Sequence, residues 1–252
     1  MPDTLVKLRV VDGSGRHQLP TTLDLAIDRQ DDELAEQRLA EAACALLGAP
    51  VALLGTAEND ELWVEALEPE RFTWVEGELP AGWADRAPWR QPGWYGETVS
   101  KIDTVLDSVG QRRTGAAVQA KHWSISALLK VPTDVGVVWF KQVPPLFAHE
   151  GALVRWLSEH APEHIAPPVA VGDGWWIAEA MDDATEVPDG QDLGALEVLT
   201  DLQRASVGCD DELFALGCPD RRLPALLTEV EALLGRDALL TDDLQRALTG
   251  RL

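Results

Sequence analysis

The amino-acid sequence predicts an α+β protein: a small α/β region, then a five-stranded antiparallel sheet with one inserted helix, then a helical stretch. Three observations carry this. The run Gly136-Val-Val-Trp-Phe-Lys141 is β-branched and aromatic, is entered through the turn Pro132-Thr-Asp-Val-Gly136, and reads as a strand. After Pro144-Pro145 the spacing becomes helical, with Leu146, Leu153, Trp156 and Leu157 on one side. Gly172-Asp-Gly174, set between the apolar runs Val169–Val171 and Trp175–Ala178, is a hairpin signal.

Taken in order, residues 1–80 read as one α/β domain. Strand Leu5–Val11 is followed by the turn Asp12-Gly-Ser-Gly15 and strand Leu23–Ile27. A helix over Glu33–Leu47 stops at Gly48 as at a C-cap, with Leu34, Leu39, Ala43, Leu46 and Leu47 as its apolar stripe. Strands Val51–Leu54 and Glu61–Leu67 flank the turn at Asn59-Asp60. Residues 81–97 break periodicity with Pro and Gly and read as a linker whose tryptophans pin it to a domain surface.

Residues 98–181 form the second part. An amphipathic helix Thr98–Val109 leads into strands Ala117–Ala120, Ser126–Val131 and Val137–Lys141. Helix Ala148–His160 and the Val169–Ala178 hairpin complete it. Residues 182–252 read as helices at Leu193–Ala205, Asp211–Leu216, Leu223–Leu234 and Leu239–Leu248.

Composition narrows the function classes. A 46% hydrophobic and 25% charged chain is that of a globular protein, and 252 residues suffice for one or two real cores. A net charge of −22 disfavours nucleic acid and anionic membrane as partners, since both need a basic face. It suits cationic substrates such as polyamines or aminoglycosides, and it equally serves solubility alone. Cys44, Cys209 and Cys218 make neither a disulfide framework nor a metal spacing with histidine. Without a signal peptide or an apolar run near membrane-spanning length, the expected location is cytoplasmic.

Lys141 and Glu150 are the best candidates for chemistry. A lysine leaving a buried strand, with a glutamate on the next helix, is how a kinase N-lobe holds ATP: the ammonium neutralises phosphate charge and the carboxylate fixes its rotamer. Glu159 competes for the glutamate role. Ser124 and Ser126, between the first two strands of this part, can supply hydroxyls where kinases have glycines. Glu179, Ala180 and Met181 follow the last strand, where a hinge would line an adenine slot.

The runs Trp89-Arg-Gln-Pro-Gly-Trp94, Trp123-Ser-Ile-Ser126, Trp139-Phe-Lys-Gln-Val-Pro-Pro-Leu-Phe147 with Glu150, and Gly174-Trp-Trp-Ile-Ala-Glu179 together resemble the aminoglycoside phosphotransferase-like (protein-kinase-like) family of actinobacterial type. The resemblance runs from about Trp89 to the C-terminus. It implies a kinase-like N-lobe, ATP as cofactor with magnesium only in a complete chain, and a small hydroxyl-bearing substrate. The helix ending in Leu47-Gly-Ala-Pro-Val51 faintly resembles the Nudix hydrolase domain. Only Glu33 falls on a signature glutamate there; Glu41, Ala42, Ala45 and Leu46 occupy the arginine and metal positions, and alanine and leucine cannot ligate magnesium.

The kinase family's catalytic aspartate and magnesium ligands come from a His-Gly-Asp-x-x-x-x-Asn loop and a later aspartate. No His-Gly-Asp occurs here, Asn59 is the only asparagine, and the chain stops at Leu252 about where the family's next segment would bring that loop. The resemblance thus implies a phosphotransferase lacking its catalytic loop in this chain. The rival expectation is a non-catalytic nucleotide- or partner-binding regulatory module, a pseudokinase.

Overall fold

The computed structural model describes residues 4–20, 22–27, 35–57, 61–180 and 193–234, and shows an α+β protein with two sheets and six helices among them. Residues 1–202 form one compact unit and residues 203–252 a second.

The first sheet is built on β1 (Thr4–Val11). It pairs antiparallel with β3 (Leu23–Ile27) along one half and parallel with β5 (Leu62–Ala66) along the other. β4 (Val51–Thr56) forms an edge beyond β5, while the two-residue strands β2 (His17–Gln18) and β6 (Trp74–Val75) extend the other side. Helix α1 (Ala35–Leu47) lays Leu39, Ala40, Ala43 and Leu47 against Leu8, Val10, Leu53 and Val64. Leu46, expected in that stripe, is half exposed, because the register of the helix turns it away from the sheet. Leu34 lies outside the described residues.

The second sheet is antiparallel throughout, in the order β10-β11-β9-β8-β7. Its strands are β7 (Val118–His122), β8 (Ala127–Thr133), β9 (Gly136–Gln142), β10 (Ala170–Gly172) and β11 (Trp175–Glu179). Helix α3 (Glu150–His160) is inserted between β9 and β10 and contacts β10 and β11. At Gly151 a Cβ would lie 2.8 Å from Val171 Cγ1, so the closeness of α3 to this edge requires glycine.

Alternation divides this sheet into two faces. Leu129, Val131, Val138, Phe140 and Ile177 point to one side and are almost wholly buried. Helix α2 (Trp94–Ser108) covers that side with Trp94, Tyr95, Ile102 and Leu106. The helix starts four residues before the expected Thr98. Gly93 at its N-cap has φ +88°, a left-handed turn that the Pro/Gly-rich sequence signals only as a break. The expected linker is likewise structured: Trp83 and Trp89 sit in short 3-10 turns and are buried.

The two sheets touch through Gln119 on β7. Its carboxamide accepts from the Leu53 N–H (2.7 Å) and donates to the Leu53 carbonyl (3.3 Å).

Helix α4 (Leu193–Ala205) leads out of the first unit. The second contains α5 (Asp210–Ala215) and α6 (Leu223–Leu234), joined through a segment where Arg222 chelates Asp220 and lies over the Phe214 ring. The expected helix Leu239–Leu248 lies outside the described residues.

Candidate functional site

β9 ends beyond Lys141 because Pro144 and Pro145 have no N–H to continue a ladder. Pro145–Phe147 forms a single 3-10 turn, and α3 follows with Glu150 in its first turn. This short path brings Lys141 Nζ to 2.7 Å from Glu150 Oε2. A carboxylate at a helix N-terminus is favoured by the helix dipole. Both side chains are more than a quarter exposed, at 29% and 27%, so the pair contributes on the order of 1 kcal/mol or less to stability. Its consequence is positional: the Lys141 ammonium is held over one face of the sheet. Glu159 sits on the last turns of the same helix, away from that contact.

Residues directly opposite one another in antiparallel strands share a face. Lys141 is opposite Leu128 on one side and Trp176 on the other, and Trp139 is opposite Lys130 and Ala178. Leu128, Trp139, Trp176 and Ala178 are half-buried, in contrast to the closed core on the far face. The Trp176 indole N–H has no acceptor among the described residues. The face therefore offers partly open indole surface beside an ammonium group, which suits an aromatic anion.

The turn after β7 sits at the Lys141 end of β9, since Ala127 is opposite Gln142. Trp123 N–H donates to the Ser126 carbonyl (2.8 Å) and closes it. Ser126 is 9% exposed and Ser124 is exposed, so Ser124 is the one of the pair whose hydroxyl faces solvent. The turn is fixed from beneath by Trp89, whose Nε1–H donates to the Trp123 carbonyl (2.7 Å). Trp89's own carbonyl accepts from His122 Nε2 at 2.7 Å. A carbonyl only accepts, so that nitrogen carries the proton, and burial pushes the His122 pKa down to about 4.

At the other end of β9, Ala180 N–H donates to the Val137 carbonyl (2.8 Å). Glu179 is opposite Val138 and so shares the core-side face rather than that of Lys141. With Gln111, Thr133 and Ala180 it lines a cavity of about 350 Å³. Of the expected hinge residues, Glu179 thus turns away from the Lys141 face, and the Ala180 N–H is already engaged by Val137. Met181 lies outside the described residues.

Lys121, Lys130 and Trp176 belong to this surface and were not singled out from the sequence. The signal was present in the alternation Leu128-Leu-Lys130, but β7 carries a bulge between Gln119 and Lys121 that hides which face Lys121 takes.

In the N-terminal sheet, Glu41, Ala42, Ala45 and Leu46 lie on α1, and Glu33 is outside the described residues. No group of three or more potential metal ligands occurs among the described residues. Glu65 is the unusual titratable group there. It is 5% exposed and accepts from the Gly93 N–H (2.9 Å); burial, with a smaller contribution from Asp12 and Glu97, raises its pKa to about 7. No helix among the described residues is long and apolar enough to cross a membrane. No family model, curated protein or solved structure matches the chain.

Proposed function

We propose that residues 98–181 are the kinase-like N-lobe and hinge of an ATP-dependent small-molecule phosphotransferase of the aminoglycoside phosphotransferase-like family. The observation that carries the reading is the 2.7 Å contact between Lys141 and Glu150 on the half-open face of the second sheet. The sheet order, with a helix inserted after the third of five strands, supports it, being the order of a kinase N-lobe. Lys141 neutralises phosphate charge, Glu150 orients it, Trp139 and Ala178 offer the apolar floor for a base, and the backbone near Ala180 reads its edge. ATP's γ-phosphate is what such a lobe presents to a substrate hydroxyl. The N-terminal domain, read as a degenerate Nudix-like scaffold, contributes no chemistry, and the protein acts in the cytoplasm.

One observation favours a second reading, a non-catalytic nucleotide-binding module. Residues 1–252 contain no His-Gly-Asp and a single asparagine, Asn59, so this chain by itself binds nucleotide without transferring phosphate.

Calorimetric titration of ATP into wild type and Lys141→Ala tests the site. A charge-assisted contact is worth about 1.5–3 kcal/mol, so the variant is expected to bind roughly ten- to a hundredfold more weakly. Equal affinity would remove Lys141 from the site. A phosphate-transfer assay on the same protein separates the two readings, turnover ruling out the module.

A further inference from the structure

Leu128 stands between two lysines. It is opposite Lys141 on β9 and opposite Lys121 on β7, so both lysines project from the same face. With one strand between them, their Cα atoms are about 10 Å apart by ordinary strand spacing. Two flexible four-carbon stems let ammonium groups at that separation converge on one polyphosphate. Lys130, opposite Trp139, lies one row further along the same face.

Three of the chain's five lysines thus share one face of one sheet, in a molecule whose formal net charge is −22. A local cationic patch in an acidic molecule concentrates anions there. The three are held differently. Lys141 is met by the Glu150 carboxylate. Lys121 Nζ lies 4.3 Å from the centroid of the Trp123 ring, and Lys130 Nζ lies 5.9 Å from that of Trp139. An indole face attracts an ammonium without cancelling its charge, so Lys121 is positioned yet still able to meet an anion. Trp123 itself is 47% exposed at the tip of the turn and its neighbour Ile125 51%. The Trp123 ring thus puts exposed apolar surface beside the Lys121 ammonium.

We infer that Lys121 is a second phosphate-binding cation: it and Lys141 hold the β- and γ-phosphates of a nucleoside triphosphate from two different strands, with the Trp123 ring steering Lys121. This rests on the nucleotide reading above. It adds a residue that the Lys141–Glu150 pair does not require, and it assigns a role to the turn's exposed tryptophan.

The test compares affinities for ATP and AMP in wild type, Lys121→Ala, Lys121→Arg and Lys141→Ala at one fixed ionic strength. Lys121→Ala is expected to weaken ATP binding about tenfold and leave AMP binding unchanged, collapsing the ATP-to-AMP ratio. Lys121→Arg keeps the charge and is expected to retain most of the ratio. A merely structural loss lowers both affinities together and leaves the ratio intact, which would overturn the assignment. So would a Lys121→Ala ratio equal to wild type while Lys141→Ala is weakened, in which case the nucleotide reading stands alone. A wild-type protein that binds neither nucleotide would overturn the nucleotide reading and this inference with it.

Discussion

Trp89→Ala is expected to lose about 3–5 kcal/mol of unfolding free energy, read as a lowered urea midpoint at unchanged slope. The side chain is 0% exposed and belongs to the core formed by α2 and the buried face of the second sheet. Removing the ring leaves a cavity that surrounding strands cannot close. It also strips the Trp123 carbonyl of its donor at the base of the turn. Trp89→Phe separates these contributions, because it fills most of the space and removes only the hydrogen bond; a loss of about 1–2 kcal/mol is expected. A loss for Trp89→Ala below about 1 kcal/mol would mean that the ring does not organise this core. If the chain binds nucleotide as proposed above, Trp89→Phe is also expected to weaken that binding, because the turn sits at the Lys141 end of β9.

The second large effect is on stability against pH. Glu65 titrates near 7 in the folded protein instead of its ordinary 4.5. The folded state therefore keeps a proton that the unfolded chain releases, and the associated stability, present below pH 4.5, is lost as pH rises to about 7. His122 does the opposite. Its pKa is held near 4 rather than 6.5, so its contribution is present above pH 6.5 and lost as pH falls toward 4. Each span corresponds to roughly 3 kcal/mol, and between about pH 4.5 and 6.5 the two slopes oppose each other. Glu65→Gln removes one of them. This variant is expected to be more stable than wild type at pH 8 by up to about 3 kcal/mol, and to lose stability more steeply on acidification from pH 6.5 to 4.5. Thermal midpoints at pH 8, 6.5 and 5 provide the check. Parallel profiles for the two proteins would show that Glu65 ionises in the fold at its ordinary pH.

Much of the second sheet was legible because its strands alternate and its turns carry strong signals. Gly172-Asp-Gly174 and the Pro132–Gly136 turn each fall where the chain reverses. The Lys141–Glu150 contact was legible for a simpler reason: nine positions and two prolines leave the chain few ways to go. Other features have no local signature. β2 and β6 are two residues each, too short to show a period, and exist because β1 offers an edge to β2 and β2 one to β6. The early start of α2 depends on Gly93 adopting a positive φ, which composition cannot distinguish from a loop glycine. Glu65 reads in Leu-Trp-Val-Glu-Ala as the solvent side of an alternating strand, yet Gly93 and the start of α2 bury it. The face taken by Glu179 follows from strand register, which is fixed by partners rather than by its own segment.

Gln119 has a consequence beyond tying two sheets together. β4 is the last strand of its sheet, so the N–H and C=O of Leu53, at 2% exposure, have no further strand to pair with and still need partners. The Gln119 carboxamide takes both, acceptor to donor and donor to acceptor, as a peptide unit of a neighbouring strand would. One side chain thus imitates a missing strand at a place where β4, buried along Val51–Gly55, meets β7 instead of another strand of its own sheet. Gln119→Ala would cost little packing volume, but it would leave the buried Leu53 N–H and C=O without their partner, so its expected penalty is a loss of about 1–3 kcal/mol of stability, read as a lowered urea midpoint.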